Sequence, residues 1–190
     1  CLLGCGMSDT VDTRYITEEV IKTCEKPLII DADGINALSA NINVLTNHRQ
    51  SIVLTPHPAE FARLAHKDLD CVLKNGEALA VDFAKKYDVT VVLKSHRTKV
   101  VLPDGMVFSN VLGNSGMATG GSGDVLAGIT ASLAARGVRE DIAAATAVYI
   151  HGKSGDEAAY ALGKDSVSAT DIIAFLPKTL SSVLKGRNYL

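Results

Sequence analysis

Several features that would assign a class at once are missing from this sequence. It has no Trp and no Cys-x-x-Cys pair, and no apolar run approaches the roughly 20 residues of a membrane-spanning helix. The cysteines are Cys1, Cys5, Cys24 and Cys71, with no histidine at zinc-like spacing from a cysteine pair, so the pattern does not describe a zinc module. Four cysteines permit two disulfides in a secreted chain. A 190-residue chain, however, buries enough core to need no covalent staple, and free thiols in a reducing compartment are expected. A basic stripe is also lacking: 19 Lys+Arg against 21 Asp+Glu leave a net charge of −2, without the electrostatic footprint of a nucleic-acid binder. No nucleic-acid or membrane partner is expected. The first residues lack the basic start and apolar stretch of a secretory signal, and the expected location is cytoplasmic. There is no initiator Met either. Cys1-Leu2-Leu3-Gly4-Cys5-Gly6 reads as a strand already running into a glycine turn, so the chain is expected to be the later part of a longer polypeptide that lacks its N-terminal portion.

Short β-rich runs alternate with helical patterns, the signature of βαβ units around a parallel sheet. Leu28 to Asp31, Ile52 to Thr55 and Val89 to Lys94 are apolar almost continuously rather than alternately, as strands are when helices cover both faces. Asn75 to Tyr87 has apolar residues at 79, 80, 83 and 84 and lysines near its end, which predicts an amphipathic helix. Lys99 to Leu102 and Met106 to Phe108 flank Pro103-Asp104-Gly105 and predict a hairpin. Further on, 124–135, 140–151 and 170–184 are Ala- and Leu-rich helical stretches, with Gly137 and Gly163 placed to stop helices. Without repeats, low-complexity tracts or linkers, a single α/β domain over residues 1–190 is expected, strands first and helices late.

Chemistry concentrates in Asn114 to Asp124, which reads Asn-Ser-Gly-Met-Ala-Thr-Gly-Gly-Ser-Gly-Asp and runs straight into a helix. Glycines let backbone N–H groups converge, and at a helix N-terminus those groups and the helix dipole form an anion site. An aspartate in the first turn then stands beside a bound phosphate, placed to take a proton from an attacking hydroxyl. A glycine-rich turn with Asp124 as a favourable first-turn acid is the plainer reading. The Gly-Lys-Ser/Thr ending of a Walker A loop is absent, and the spacing is not that of a dinucleotide fingerprint.

Four segments, in order, resemble the bacterial ADP-dependent NAD(P)H-hydrate dehydratases of the ribokinase-like superfamily. They are Asp31-Ala32-Asp33-Gly34-Ile35-Asn36-Ala37-Leu38, Leu54-Thr55-Pro56-His57-Pro58-Ala59-Glu60, Val92-Leu93-Lys94-Ser95-His96-Arg97-Thr98 and Gly113 to Asp124. The similarity continues through His151-Gly152 to Asp171-Ile172-Ile173. The resemblance implies a ribokinase-like three-layer α/β/α fold with a central, mainly parallel sheet. It implies dehydration of (6S)-NADHX and NADPHX to NADH and NADPH, driven by hydrolysis of the co-substrate ADP to AMP and phosphate, with Mg²⁺ assisting, in a homo-oligomer. It also implies roles for single residues. Asp124 is the catalytic base and a substrate contact, and His57 and Ser8 match further substrate-binding positions. Lys94, Ser95, His96, Arg97, Thr98 and Gly123 match the nucleotide-binding segments, and the Gly121, Ser122 and Gly123 amides form the anion hole.

From the residues alone, Lys94 also reads as a solvated strand-end charge, His57 as a turn residue between prolines, and His151 as a core or helix-end histidine. Asp33 reads as the cap of the next helix or, with Asp31, as a holder of Mg²⁺ through water. By the resemblance, Asn114 matches the family's residue ahead of the catalytic loop and would orient it. The sequence departs from the family where Gly4-Cys5-Gly6-Met7-Ser8 replaces Gly-Pro-Gly-Leu-Gly, so Ser8 brings a Cβ and a hydroxyl to a position where positive φ is expected. Two other readings fit the same residues: a ribokinase-like kinase acting on a vitamin-precursor alcohol, and a nucleotide-binding protein without catalysis.

Overall fold

The structure, a computed structural model, describes residues 1–185. Four strands run parallel in sequence order: β1 (Leu2–Leu3), β2 (Leu28–Ile30), β3 (Ile52–Leu54) and β4 (Thr90–Leu93). β5 (Lys99–Val101) and β6 (Val107–Ser109) then add antiparallel at the β4 edge. The register Leu2↔Ile29, Ile29↔Val53 and Val53↔Thr90 stacks the strands so that their carboxyl ends share one edge. The expected hairpin forms over Pro103-Asp104-Gly105, with the Leu102 N–H donating to the Met106 carbonyl at 2.9 Å.

Strand alternation divides the core. Leu28 and Ile30 of β2, Leu54 of β3 and Val91 of β4 pack with α1 (Val11–Thr23), α2 (Ala32–Ala40), α3 (Pro58–Leu64) and α4 (Leu69–Tyr87), around Ile21, Ile35, Phe61 and Phe83. The alternate residues Ile29, Val53 and Val92 pack with Leu126 and Ala127 of α5 (Ser122–Ala135) and Ala147 of α6 (Glu140–Leu162). α7 (Ala169–Lys185) closes that second layer, with Ile172 fully buried against Val125 and Ala158. The result is the expected three-layer α/β/α arrangement with a mostly parallel sheet.

Helices are not confined to the later half, because four of them lie before β5. α1 carries a weak apolar pattern: its buried positions are Thr13, Thr17 and Ile21. α4 begins at Leu69, six residues before the expected start, with a kink at Asn75 (φ −127°, ψ 19°). α6 runs past His151 to Leu162, through Gly152 and Gly155, each costing a helix interior about 1 kcal/mol relative to Ala. Packing explains both. A Cβ at Gly152 would stand 2.9 Å from the Leu112 carbonyl oxygen, and one at Gly155 would overlap the Met117 thioether. The two glycines let the segment that carries the glycine loop lie directly on α6.

Candidate functional site

The carboxyl edge of the parallel strands collects the polar side chains, as the open α/β architecture favours. Asp31 follows β2 and is 1% exposed. Its Oδ1 accepts a hydrogen bond from Lys94 Nζ at 2.7 Å, and Lys94 directly follows β4. The same ammonium stands 3.8 Å from Oε2 of Glu60, which is also buried. One lysine therefore neutralises two carboxylates that have left water, as buried charges require. The Lys94 N–H donates to the Pro56 carbonyl at 2.8 Å, fastening the ends of β3 and β4 together.

The Thr-Pro-His-Pro segment is the start of a helix. His57 is the N-cap of α3 and Pro58 sits at its first position, where a missing N–H costs nothing. His57 Nδ1 accepts from the Ala59 and Glu60 N–H groups at 3.1 and 3.2 Å, and the His57 N–H donates to Glu60 Oε2 at 2.7 Å. A neutral ring whose Nδ1 accepts must carry its proton on Nε2, which lies 3.4 Å from Glu60 Oε1 and reaches solvent. His57 thus serves the local fold through one nitrogen and presents the other at the rim.

Asp124 occupies the first turn of α5, exposed, behind a left-handed N-cap at Gly121 (φ 85°) that only glycine adopts without strain. The helix supplies no acceptors for the N–H groups of this first turn. Of the three residues expected to form the anion hole, Ser122 is turned inward. Its N–H faces the Thr119 carbonyl at 3.3 Å and its hydroxyl faces His151 Nε2 at 3.3 Å. Burial, helped by the Lys94 charge, pushes His151 down to about 4, so the imidazole is neutral at pH 7. A Cβ on Gly123 would stand 3.2 Å from Lys94 Nζ, so glycine here lets the turn approach the Lys94–Asp31 pair. Asn114 holds the loop from behind: its Oδ1 accepts from the Gly116 N–H, and its amide donates to the Gly155 carbonyl at 3.1 Å and Asp156 Oδ1 at 2.9 Å.

The remaining expected residues are placed as follows. Ser95, His96 and Arg97 form an exposed turn after Lys94, closed by the Thr98 hydroxyl on the Ser95 carbonyl at 3.1 Å. Ser8 is exposed at φ 61°, the positive φ expected there, and its N–H donates to Asp33 Oδ2 at 2.7 Å. Asp33 therefore lies inside α2 and supports the Ser8 loop rather than capping the helix.

Two features of the site had no role assigned from sequence. One is Glu60, whose partnership with Lys94 exists only in the fold. The other is Cys5, whose Sγ lies with a carboxylate oxygen of Asp31 and one of Asp124 so that all three atoms are within 4.8 Å of one another. Burial first, then those two carboxylates, push the Cys5 thiol up to about 12. Beside Asp124 opens an apolar groove of about 530 Å³ between α5 and α7, lined by Gly121, Val125, Ile129, Ile173 and Leu176 among others.

A sequence profile of the family described as NAD(P)H-hydrate dehydratase matches residues 1–178. The chain belongs to that family. It is 40% identical over 181 residues to a bifunctional NAD(P)H-hydrate repair enzyme of Moorella thermoacetica, covering 95% of this chain and 34% of that protein. It is 37% identical to an ADP-dependent (S)-NAD(P)H-hydrate dehydratase of Neisseria meningitidis, over 82% of this chain and 53% of that one. An ADP/ATP-dependent NAD(P)H-hydrate dehydratase of Bacillus subtilis, co-crystallised with ATP/Mg²⁺ and soaked with CoA, superposes with a TM-score of 0.84 at 25% identity, over 95% of this chain and 65% of that one. The chain thus spans about a third of the length of that bifunctional relative. Its fold is ribokinase-like. Among the described residues no helix is long and apolar enough to cross a membrane.

Proposed function

We propose that this chain carries the centre that dehydrates (6S)-NADHX and NADPHX to NADH and NADPH at the expense of ADP. The observation that carries this reading is the placement of Asp124 at the mouth of a helix-terminal loop, beside the buried Asp31–Lys94 pair.

Hydroxide leaves poorly, so the hydrate's C6 hydroxyl is first phosphorylated. Asp124 accepts its proton as the oxygen attacks the β-phosphorus of ADP and AMP departs. The unclaimed first-turn amides and Lys94 hold the transferring group, whose charge they stabilise. The C6–O bond then breaks, phosphate leaves with push from the ring nitrogen, and loss of a C5 proton restores the double bond. The apolar groove beside Asp124 offers a surface for a nucleoside, and the Ser95–Thr98 turn supplies polar groups at the rim. His57 Nε2, Ser8 and Asp124 are the contacts to the hydrated ring. Mg²⁺ fits the hard oxygen donors present: Asp31 and Glu60, both beside Lys94, would hold it, through water where they are buried. When bound, it neutralises phosphate charge. Association into a homo-oligomer belongs to the same proposal.

The test is to incubate the protein with hydrated NADH, ADP and Mg²⁺ and to follow the absorbance of restored NADH. Asp124→Asn is expected to lower the rate by about 100-fold or more, the usual worth of a positioned base. No signal with either ADP or ATP sinks the proposal, and a rate for Asp124→Asn within about tenfold of the parent removes Asp124 as the base.

A further inference from the structure

We propose that Cys5, Asp31 and Asp124 form a binding site for a thiophilic divalent cation of the zinc and cadmium class, which on binding withdraws Asp124 from the reaction. The catalytic consequence rests on the reading of Asp124 as the base; the site itself does not.

The donors come from three elements: Cys5 from the loop after β1, Asp31 from the end of β2 and Asp124 from the first turn of α5. Their ligand atoms already lie within 4.8 Å of one another. Bound tetrahedrally, with Zn–S near 2.3 Å and Zn–O near 2.1 Å, sulfur and oxygen would stand about 3.6 Å apart. The required contraction is small, and two of the donors lie on a loop and an exposed first turn. A second observation points to the same place. Asp31 is 1% exposed and its Oδ1 is held by Lys94, while among the described residues its Oδ2 accepts only from the Cys5 thiol, at 4.0 Å. A thiol is a weak donor, so this buried carboxylate oxygen faces the cluster with its demand barely met. Coordination satisfies it without breaking the Lys94 pair.

Charge and chemistry agree. Three carboxylates, Asp31, Asp124 and Glu60, face one ammonium, Lys94, which leaves the neighbourhood net negative. Oxygen donors alone suit Mg²⁺, but sulfur in the set shifts preference toward softer ions. The ion replaces the thiol proton, which passes to solvent, and nothing is oxidised. A redox role for Cys5 is the poorer use of the same thiol, because a buried thiol held protonated by neighbouring carboxylates is a weak nucleophile.

The experiment is a Cd²⁺ titration of the nucleotide-free protein, read as the ultraviolet thiolate-to-cadmium charge-transfer band. Cys5→Ala and Cys5→Ser separate Cys5 from Cys1, Cys24 and Cys71. The parent is expected to show a one-equivalent component that both variants lack. Asp124→Asn, which keeps the thiol and alters an exposed residue, is expected to bind Cd²⁺ at least about tenfold more weakly, since even outer-shell losses cost that much. Should the Cys5 variants fail to fold, Asp124→Asn decides alone. A parent band unchanged in folded Cys5→Ala, or an affinity unchanged in Asp124→Asn, overturns the site. The band needs no turnover, so it stands or falls separately from the dehydratase reading. Where turnover is present, one equivalent of Cd²⁺ should lower it at least about tenfold, reversibly with chelator. Turnover unaffected by a bound equivalent overturns the catalytic consequence.

Discussion

Lys94→Met tests the electrostatic centre of the site most directly. Methionine keeps most of the apolar stem and deletes the ammonium. What remains is Asp31, with 1% of its side chain exposed and its ion-pair partner gone, beside the buried Glu60. Breaking a buried pair from one side costs about 3–5 kcal/mol, because the surviving charge is neither hydrated nor compensated. Lys94 keeps 19% of its side chain exposed, so water follows the lost ammonium part of the way, and about 3 kcal/mol is expected. For a chain of this size that corresponds to a fall of roughly 6–12 °C in Tm.

A double-mutant cycle separates the pair from simple loss of packing. Asp31→Asn alone leaves Lys94 near Glu60 and the rim, so its cost should be smaller, about 1–2 kcal/mol. In the combined Asp31→Asn/Lys94→Met protein no charge of the pair is left stranded, and the two costs should fall short of their sum by about 1–3 kcal/mol. Urea unfolding at pH 7, comparing midpoints at unchanged m, measures all four corners. A single Lys94→Met cost below about 1 kcal/mol, or additivity within about 0.5 kcal/mol, refutes the claim that Asp31 depends on Lys94.

Three further changes probe the frame around this pair. Ser8→Gly relieves a side chain held at φ 61° and should raise the unfolding midpoint, by up to about 1 kcal/mol; a loss would show that Ser8 is not strained. Gly152→Ala drives a Cβ toward the Leu112 carbonyl, backbone that cannot yield cheaply, and should cost about 2 kcal/mol in thermal or urea unfolding; a neutral result would mean the two segments separate freely. His151 titrates near 4 in the fold and near 6.5 when unfolded, so on acidification the unfolded chain takes up its proton first. Stability from this group is therefore complete above pH 6.5 and lost as pH falls from 6.5 toward 4, by at most about 3 kcal/mol. His151→Gln should flatten that part of the pH–stability curve, and an unchanged slope would show that His151 charges freely.

How far the sequence predicts this structure depends on whether the signal is local. The parallel strands were legible because both faces of Leu28–Ile30, Ile52–Leu54 and Thr90–Leu93 are covered, which leaves a continuous apolar run. The hairpin was legible from its turn tripeptide, and α5 from the glycine loop that opens it. α1 was not, because its inward face is built from Thr13 and Thr17 and carries little hydrophobic period. The reach of α6 was hidden for a related reason. Gly152 and Gly155 carry no apolar side chain to extend the helical pattern, yet they sit mid-helix where another segment crosses, and α6 ends at the expected stop, Gly163.

The site divides the same way. Asp124, His57 and Lys94 stand out because each belongs to a segment whose local wording is distinctive. Glu60 lies within such a segment, but its role depends on Lys94, which the following parallel strand delivers to the same edge. Cys5 belongs to no metal-binding spacing in the sequence, and nothing near it suggests a ligand. Its two neighbours arrive by separate routes: Asp31 because β2 pairs parallel with β1, and Asp124 because α5 packs beneath both strands with its N-terminus at their carboxyl ends. Parallel winding is what converts distant single residues into one cluster. A reading based on spacing along the chain therefore finds the acid of the loop, and only the fold shows that a thiol stands beside it.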